Sequence, residues 1–310
     1  MRADHTTPEH WRAASKSRAN RRGDGPILDK SDLLRCFADL GVEAGGTLLA
    51  HSSLSSFGTV RGGEHTVIDA LLEAVGPDGL LAMPTHTWST VSAKQPVFHQ
   101  QLSPSITGRI TESFRLRPSA VRSLHPTHSV AAVGPDAPEF CGGHELYSTP
   151  CSRASPYGRL VARGGQVLML GVGLDCLTLM HGIEEWAEVP WLFNRVETLH
   201  VITNSGAALT VLSRRHTNDP YYEERDFPSL EPLLKQADVI RYGMAGNATI
   251  RVIDAQRCAD VLLPLLRENP DLVLGPRGAR STLERRRPGL MPGSEDDQAL
   301  DDRRTRVRRL

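Results

Sequence analysis

An excess of charge of either sign is missing from this 310-residue chain: Lys and Arg total 36, Asp and Glu total 36, and the formal net charge is zero. With no global field to draw in a polyanion, nucleic acid and anionic membrane are not expected partners. Also missing is any uninterrupted apolar run of about 18 residues, the length needed to span a bilayer. The N-terminal stretch lacks the apolar middle section of a secretory signal, so a soluble, cytoplasmic protein is expected. Cys36, Cys141, Cys151, Cys176 and Cys258 are odd in number and include no CxxC pair. That argues against a disulfide framework and a thiolate zinc site, and for a reducing compartment. Two catalytic signatures are absent too. No GxSxG nucleophile elbow occurs, and "GVGLDC" has Cys176 where a dinucleotide-binding turn would place its third glycine.

What is present is enough apolar residue, 39% of the chain, to build a sizeable core. Residues 1–26 are polar and basic, and 275–310 are Arg-rich and poor in core formers; both read as flexible, disordered segments around a domain at 27–274. Inside it there is no internal repeat and no low-complexity linker. Apolar runs of strand length alternate with helical periodicity. "LLRCFADLGV" and "VIDALLEAVGPDG" read as helices ended by glycine. "TLLAHSSL", "LLAMPTHTW", "SVAAVG", "QVLMLGVG" and "LHVITN" read as strands, and "CLTLMHGIEEWAE" as a helix stopped by Pro190. This alternation predicts a layered α/β/α fold. The pair "LTVLSRRH" and "ATIRVIDA" suggests an antiparallel edge, so a mixed central sheet is expected rather than a parallel one.

In open α/β sheets ligands sit beyond the carboxyl ends of the strands. Three of the predicted strands run into small polar residues there: His51, Ser52 and Ser53; Thr85, His86 and Thr87; Gly171, Gly173 and Asp175. A metal-dependent amidohydrolase could be assembled from His51, His86, His125 and His128. However, Pro126 disfavours helix at His125, so "HPTH" is not a helical pair with both rings aimed together. No metal is expected. The stretch from Leu168 to Trp186 sets a sharper problem, because His181, Glu184 and Glu185 fall among apolar residues on one predicted helix. At i, i+3 spacing a carboxylate can bond the imidazole, fix its tautomer and leave its other nitrogen basic. From the residues alone, His181 is either a satisfied helix histidine or a general base. Asp175 is either the N-cap of that helix or a support for the base. Cys176 reads as a packed, inert thiol.

Four segments in register, "LLAHSSLSSFG", "AMPTHTW", "RSLHPTHSVAAVG" and "LGVGLDCLTLMHGIEE", resemble the aminoglycoside 3-N-acetyltransferase family over about residues 29–265. The resemblance implies an α/β fold distinct from the GNAT acetyltransferases, acetyl-coenzyme A as donor and an amine as acceptor. It implies His181 as general base with Glu184. It further implies that the HSSL and HPTHS segments line the coenzyme channel, which makes Ser52, Ser53, Leu54, Ser55, Thr85, Ser129 and Val130 the coenzyme-side candidates. The turn around Ser53 is the candidate oxyanion hole, its small residues permitting backbone N–H groups to face a thioester. A polycationic acceptor calls for acidic partners. "HTNDPYYEERDFPSL" offers Asp219, Glu223, Glu224 and Asp226, with Asp226 best placed by the resemblance, and Glu185 lies on the helix of the base. Two alternatives remain alongside the amidohydrolase: a same-fold transferase for a non-antibiotic amine, and a non-catalytic acyl-coenzyme A binding relative. The oligomeric state is open.

Overall fold

The computed structural model describes residues 26–217 and 225–275, together with the short strand Arg308–Arg309. The predicted terminal segments therefore lie almost wholly outside the described residues. In chain order the other strands are β1 (Ile27–Leu28), β2 (Thr47–Ser52), β3 (Thr59–Val60), β4 (Leu80–Pro84), β5 (Val97–His99), β6 (Val121–Arg122), β7 (Val130–Val133), β8 (Gln166–Leu170), β9 (Glu197–Ile202), β10 (Ala208–Ser213), β11 (Ile240–Ala245) and β12 (Ala248–Asp254). Seven of them form one sheet in the order β11-β12-β8-β2-β4-β7-β6. β2 runs parallel to both β4 and β8, while β7, β6, β12 and β11 add antiparallel strands on either side. The expected mixed sheet is present.

Strand periodicity explains the layering, because successive side chains point to opposite faces. On β2, β4 and β8 one set (Leu49, Leu80, Ala82, Val167, Met169) enters one core, and the alternate set (Leu48, Ala50, Leu81, Met83, Leu168, Leu170) enters the other. The first core is closed by Tyr157 and Leu160 of helix Pro156–Ala162, by Leu179, Met180 and Ile183 of helix Thr178–Trp186, and by Leu262 and Leu266 of helix Ala255–Glu268. The second is closed by Leu33 and Phe37 of helix Lys30–Asp39, by Val67, Ile68 and Leu71 of helix Gly63–Val75, and by Ile110 and Phe114 of helix Arg109–Arg115. The result is a three-layer α/β/α arrangement. No helix among the described residues is long and apolar enough to cross a membrane.

Two expectations need correction. "LTVLSRRH" and "ATIRVIDA" are both antiparallel strands, but they do not share a sheet. β12 joins the central sheet, whereas β10 pairs with β9 in a separate small sheet that also holds β5. That sheet has its own core of Val91, Phe98, Leu199, Val201, Leu209 and Val211. The helix of the base also stops before Pro190 acts. It ends at Trp186, and Glu188 takes the left-handed conformation (φ 59°) while the Val189 N–H reaches the Glu184 carbonyl at 3.2 Å. With the Glu188 N–H on the Glu185 carbonyl at 3.1 Å, this is a Schellman termination.

The register places the site. Because β2, β4 and β8 are parallel, their carboxyl ends share one edge of the sheet, and Ser52, Pro84 and Leu170 lead out there. β7 is antiparallel with Pro84 opposite Val130, so the segment before Val130 arrives at the same edge. Gly171, the first residue beyond β8, has φ +68°, and a Cβ there would lie 2.4 Å from the Ser56 Cβ. A Gly171→Ala variant is therefore expected to lose about 2–4 kcal/mol from left-handed backbone strain and overpacking together. Urea denaturation checks this; an unchanged midpoint would contradict the tight approach of β8 to the Ser53–Ser56 turn.

Candidate active site

The HxxE helix, Thr178–Trp186, begins after a single turn of 3-10 helix at Leu174–Cys176. Asp175 is consequently not its N-cap. Leu177 holds that position without a side-chain cap, because the Leu177 and Cys176 N–H groups close the preceding turn on Leu174 and Gly173. Asp175 is exposed. So is Cys176, whose thiol lies 3.7 Å from the Asp175 carboxylate rather than packed in the core.

One turn further along, His181 and Glu184 meet as their spacing predicts. His181 Nδ1 lies 2.6 Å from Glu184 Oε2; the imidazole is 26% exposed while the carboxylate is fully buried. A buried carboxylate needs its remaining lone pairs satisfied, and Arg225 supplies the second donor, its Nε 3.1 Å from Glu184 Oε1. The guanidinium is itself held over the Trp191 ring at 5.1 Å. His181 is thereby anchored at Nδ1 by an acceptor whose other oxygen is taken by a cation.

The ring is also clamped on its faces. His216, just past β10, stacks on His181 at 4.5 Å between centroids and 24° between planes, and Phe227 meets it edge-on at 5.2 Å. Phe227 opens a turn capped by Asp226, which accepts from the Ser229 N–H at 3.2 Å, so Asp226 sets a residue that touches His181. Glu185 points elsewhere: its Oε1 is shared by His216 Nε2 and the Cys151 N–H, both at 2.8 Å. Its side chain is 5% exposed, and burial pushes its carboxyl up to about 8. Asp219, Glu223 and Glu224 lie outside the described residues.

The coenzyme-side candidates divide into two groups. Ser52, Ser53 and Leu54 are half-buried and Ser55 is exposed, all at the sheet edge. Thr85, Ser129 and Val130 are fully buried. The hydroxyls of Thr85 and Ser129 lie 3.0 Å apart, and both accept from Nε of the buried Arg122, at 3.2 and 3.0 Å. Arg122 also donates to the carbonyls of Thr85, Gln100 and Ser103. This cluster ties the end of β4 to the segments around Gln100 and Ser129. At the turn itself the Ser53 N–H is already bonded to the Leu170 carbonyl at 2.9 Å, so it is not an available oxyanion donor.

The strand-end histidines do not converge on a shared point. His86 Nε2 bonds the Tyr157 hydroxyl at 2.8 Å, His125 Nδ1 accepts the Thr127 and His128 N–H groups, and His144 lies between the Ser123 hydroxyl and the Pro150 carbonyl. His128 Nδ1 bonds the Thr127 hydroxyl at 2.9 Å, and the Nε2 atoms of His51 and His125 are buried without a hydrogen-bond partner; among the described residues no three of these rings bring donor atoms within 4.8 Å of one another, as a shared metal would need. Residues that sequence reasoning missed, Arg225, His216, Arg122, Tyr157 and Cys151, are distant in sequence from the groups they touch. Arg122 and Arg225 lie inside quoted segments, "RSLHPTHSVAAVG" and "HTNDPYYEERDFPSL", but nothing in those segments says which distant groups they bond.

Burial sets the protonation of this neighbourhood. It drives His51 and His86 to about 3 and His144 to about 4, and holds His125, His128 and His216 well below the usual imidazole range. These groups are neutral in the folded state and protonate near pH 6.5 once unfolded. Their depressed values contribute stability that is present above pH 6.5 and lost as pH falls toward the folded values. Glu185, pushed up to about 8, opposes this by one proton over the same range. For His51, His86, His144 and Glu185 the net is two protons, or about 3 kcal/mol per pH unit well below pH 6.5. Denaturant unfolding is thus expected to show stability dropping between pH 7 and pH 5, with His125, His128 and His216 steepening the loss. A flat profile there would contradict the buried neutral histidines.

The sequence matches the model of the aminoglycoside 3-N-acetyltransferase family over residues 49–267. It is 39% identical over 186 residues to the aminoglycoside N(3)-acetyltransferase VIII of Streptomyces fradiae, covering 54% of this chain and 64% of that one. The chain thus matches somewhat less than two thirds of that relative's length. With the aminoglycoside N(3)-acetyltransferase IV of a Salmonella species it shares 33% identity over 249 residues, 80% of this chain and 90% of the other. Two solved structures superpose well. One is a histidine-to-alanine mutant of the acetyltransferase AAC(3)-IVa in complex with a gentamicin (TM-score 0.71, 31% identity, 82% of this chain and 94% of that one). The other is AAC-IIIb in a binary complex with CoASH (TM-score 0.70, 25% identity, 81% and 99%).

Proposed function

The chain belongs to the aminoglycoside 3-N-acetyltransferase family, and on that premise we propose that it transfers the acetyl group of acetyl-coenzyme A to the 3-amino group of a 2-deoxystreptamine aminoglycoside. Residues 27–274 are the transferase domain in this reading, and the cytoplasm, where the donor is found, is its location. The observation that carries the reading is the buried Glu184 carboxylate, held between His181 Nδ1 and Arg225 Nε. With Nδ1 committed to Glu184, Nε2 is the nitrogen left to take a proton.

An amine attacks only through its lone pair, so it must lose a proton before or during attack. His181 accepts that proton at Nε2, and Glu184 stabilises the imidazolium formed. The amine nitrogen bonds the thioester carbonyl carbon, the oxyanion collapses, the carbon–sulfur bond breaks, and coenzyme A leaves as a thiolate that takes up a proton. No covalent enzyme intermediate is involved. Since the Ser53 amide is bonded to Leu170, the donors for the oxyanion in this proposal are the Leu54 and Ser55 N–H groups that open the same turn. Ser52 to Ser55 provide the accessible coenzyme wall, and Thr85, Ser129, Val130 and Arg122 shape it from within. On the acceptor side Asp226 and Glu223 are the carboxylates proposed to meet the cationic sugar. Glu185 is withdrawn from that role, since its side chain is only 5% exposed and its Oε1 is used by His216 and Cys151. Asp175, exposed at the mouth of the helix, is at most an outer contact.

Thiol release from acetyl-coenzyme A, run against a panel of aminoglycosides and unrelated small amines, tests the reading. Release with gentamicin-like or kanamycin-like acceptors is expected. A His181→Ala variant should lose about 10²–10⁴-fold in turnover while its coenzyme affinity stays within about twofold of wild type. Near wild-type turnover in that variant would end the base assignment. Release only with non-aminoglycoside amines would retain the chemistry and move the acceptor to another amine.

A further inference from the structure

Beside the His181–Glu184 pair lies a second cluster whose thiol and carboxylate take no part in the proposed acetyl transfer. Cys151, Glu185 and His216 bring a thiol sulfur, a carboxylate oxygen and an imidazole nitrogen within 4.8 Å of one another. They come from three separate elements: the turn before helix Pro156–Ala162, the last turn of the HxxE helix, and the segment after β10. All three are nearly closed off from solvent, with Cys151 fully buried and the side chains of Glu185 and His216 at 5% and 8% exposure. Their positions are also fixed. The Cys151 N–H donates to Glu185 and its carbonyl accepts from Trp186 Nε1 at 2.9 Å, while the His216 ring is held between His181 and Phe193.

We propose that Cys151, Glu185 and His216 form a binding site for a borderline-soft divalent cation of the Zn2+ type, and that its occupation inhibits the enzyme. The donor set is one sulfur, one nitrogen and one oxygen, the mixture that Zn2+ accepts in tetrahedral coordination and that hard Mg2+ or Ca2+ does not. Bond lengths of about 2.0 Å to nitrogen and oxygen and about 2.3 Å to sulfur place tetrahedral ligands roughly 3.3–3.5 Å apart. The His216 nitrogen and Glu185 oxygen, now 2.8 Å apart, would open slightly. The sulfur would close by no more than about 1.5 Å from its 4.8 Å limit. Binding expels two protons to solvent, one from the Cys151 thiol and one from the His216–Glu185 hydrogen bond. Three protein ligands leave a fourth position for water. Exchange of two protons for one dication leaves the charge of the cluster unchanged, so inhibition follows from geometry: ligation draws the His216 ring toward the metal and disturbs the stack, 4.5 Å between centroids, that holds the plane of the His181 ring. Only this inhibitory part rests on the transferase reading; the binding itself does not.

Cobalt supplies a readout independent of activity, since thiolate coordination of Co2+ produces a sulfur-to-metal charge-transfer absorption. The folded, full-length protein titrated with Co2+ is expected to develop this band and saturate at one equivalent, with Zn2+ displacing it. A Cys176→Ser variant, which removes the exposed thiol, should keep the band, and Cys151→Ser should lose it. Glu185→Gln, which can preserve the hydrogen bonds, should weaken Co2+ affinity at least tenfold. No band in the wild type, or a band that survives Cys151→Ser, would overturn the site. If Zn2+ binds but slows acetyl transfer equally in wild type and Cys151→Ser, the inhibitory role fails while the site stands.

Discussion

The buried Glu184 carboxylate is the constraint around which the site is arranged. Both of its oxygens are bonded, Oε2 to His181 at 2.6 Å and Oε1 to Arg225 at 3.1 Å, and neither reaches water. Such a group is strongly destabilising if one partner is removed, by about 3–5 kcal/mol, since an uncompensated charge is left in a medium that cannot solvate it. The fold meets that demand with pieces from different regions. The HxxE helix presents the histidine and glutamate from one layer, and the segment leading to Phe227 returns with the arginine. Phe227 and His216 then fix the imidazole plane. The same contacts that make Glu184 tolerable in the core engage only Nδ1 of His181, a ring that stays 26% exposed.

The surrounding histidines make sense in the same electrostatic terms. A ring that is to become an imidazolium during a reaction is opposed by charged imidazoles around it. Burial keeps His86, His128 and His216 neutral, so their rings can pack at 4.7 and 5.7 Å from one another without repulsion. Arg122, buried beside Thr85 and Ser129, has its charge spread over backbone carbonyls and two hydroxyls, and burial pulls it down to about 9. Polar groups at this sheet edge are thus mostly paired inward, and the half-exposed Ser52–Leu54 turn and His181 are what the edge offers outward.

Much of this was legible in the sequence. Apolar runs of strand length marked β2, β4, β7 and β8, and the i, i+3 spacing of His181 and Glu184 placed them on one helix face. What sequence could not reveal depends on contacts across long separations. Arg225 is 41 residues from Glu184 and Cys151 is 34 from Glu185, so no local period links them. The thiol-bearing cluster escaped for the same reason: an argument from CxxC spacing is blind to a cysteine that meets its partners only through the fold. Asp175 failed as an N-cap because the intervening 3-10 turn delays the helix to Thr178. β10 was misplaced because alternation reports that a strand has one buried face, not which sheet buries it.

The central claim is that Glu184 holds the His181 proton at Nδ1 and leaves Nε2 as the basic nitrogen. Nitrogen-15 NMR of the histidine rings in the resting protein, with His181 assigned by comparison with the His181→Ala variant, reads that tautomer directly. The account predicts a protonated Nδ1 and a bare Nε2 whose signal moves when an amine acceptor binds. A resting His181 with its proton on Nε2 would contradict it, because the nitrogen not engaged by Glu184 would then have no lone pair to offer.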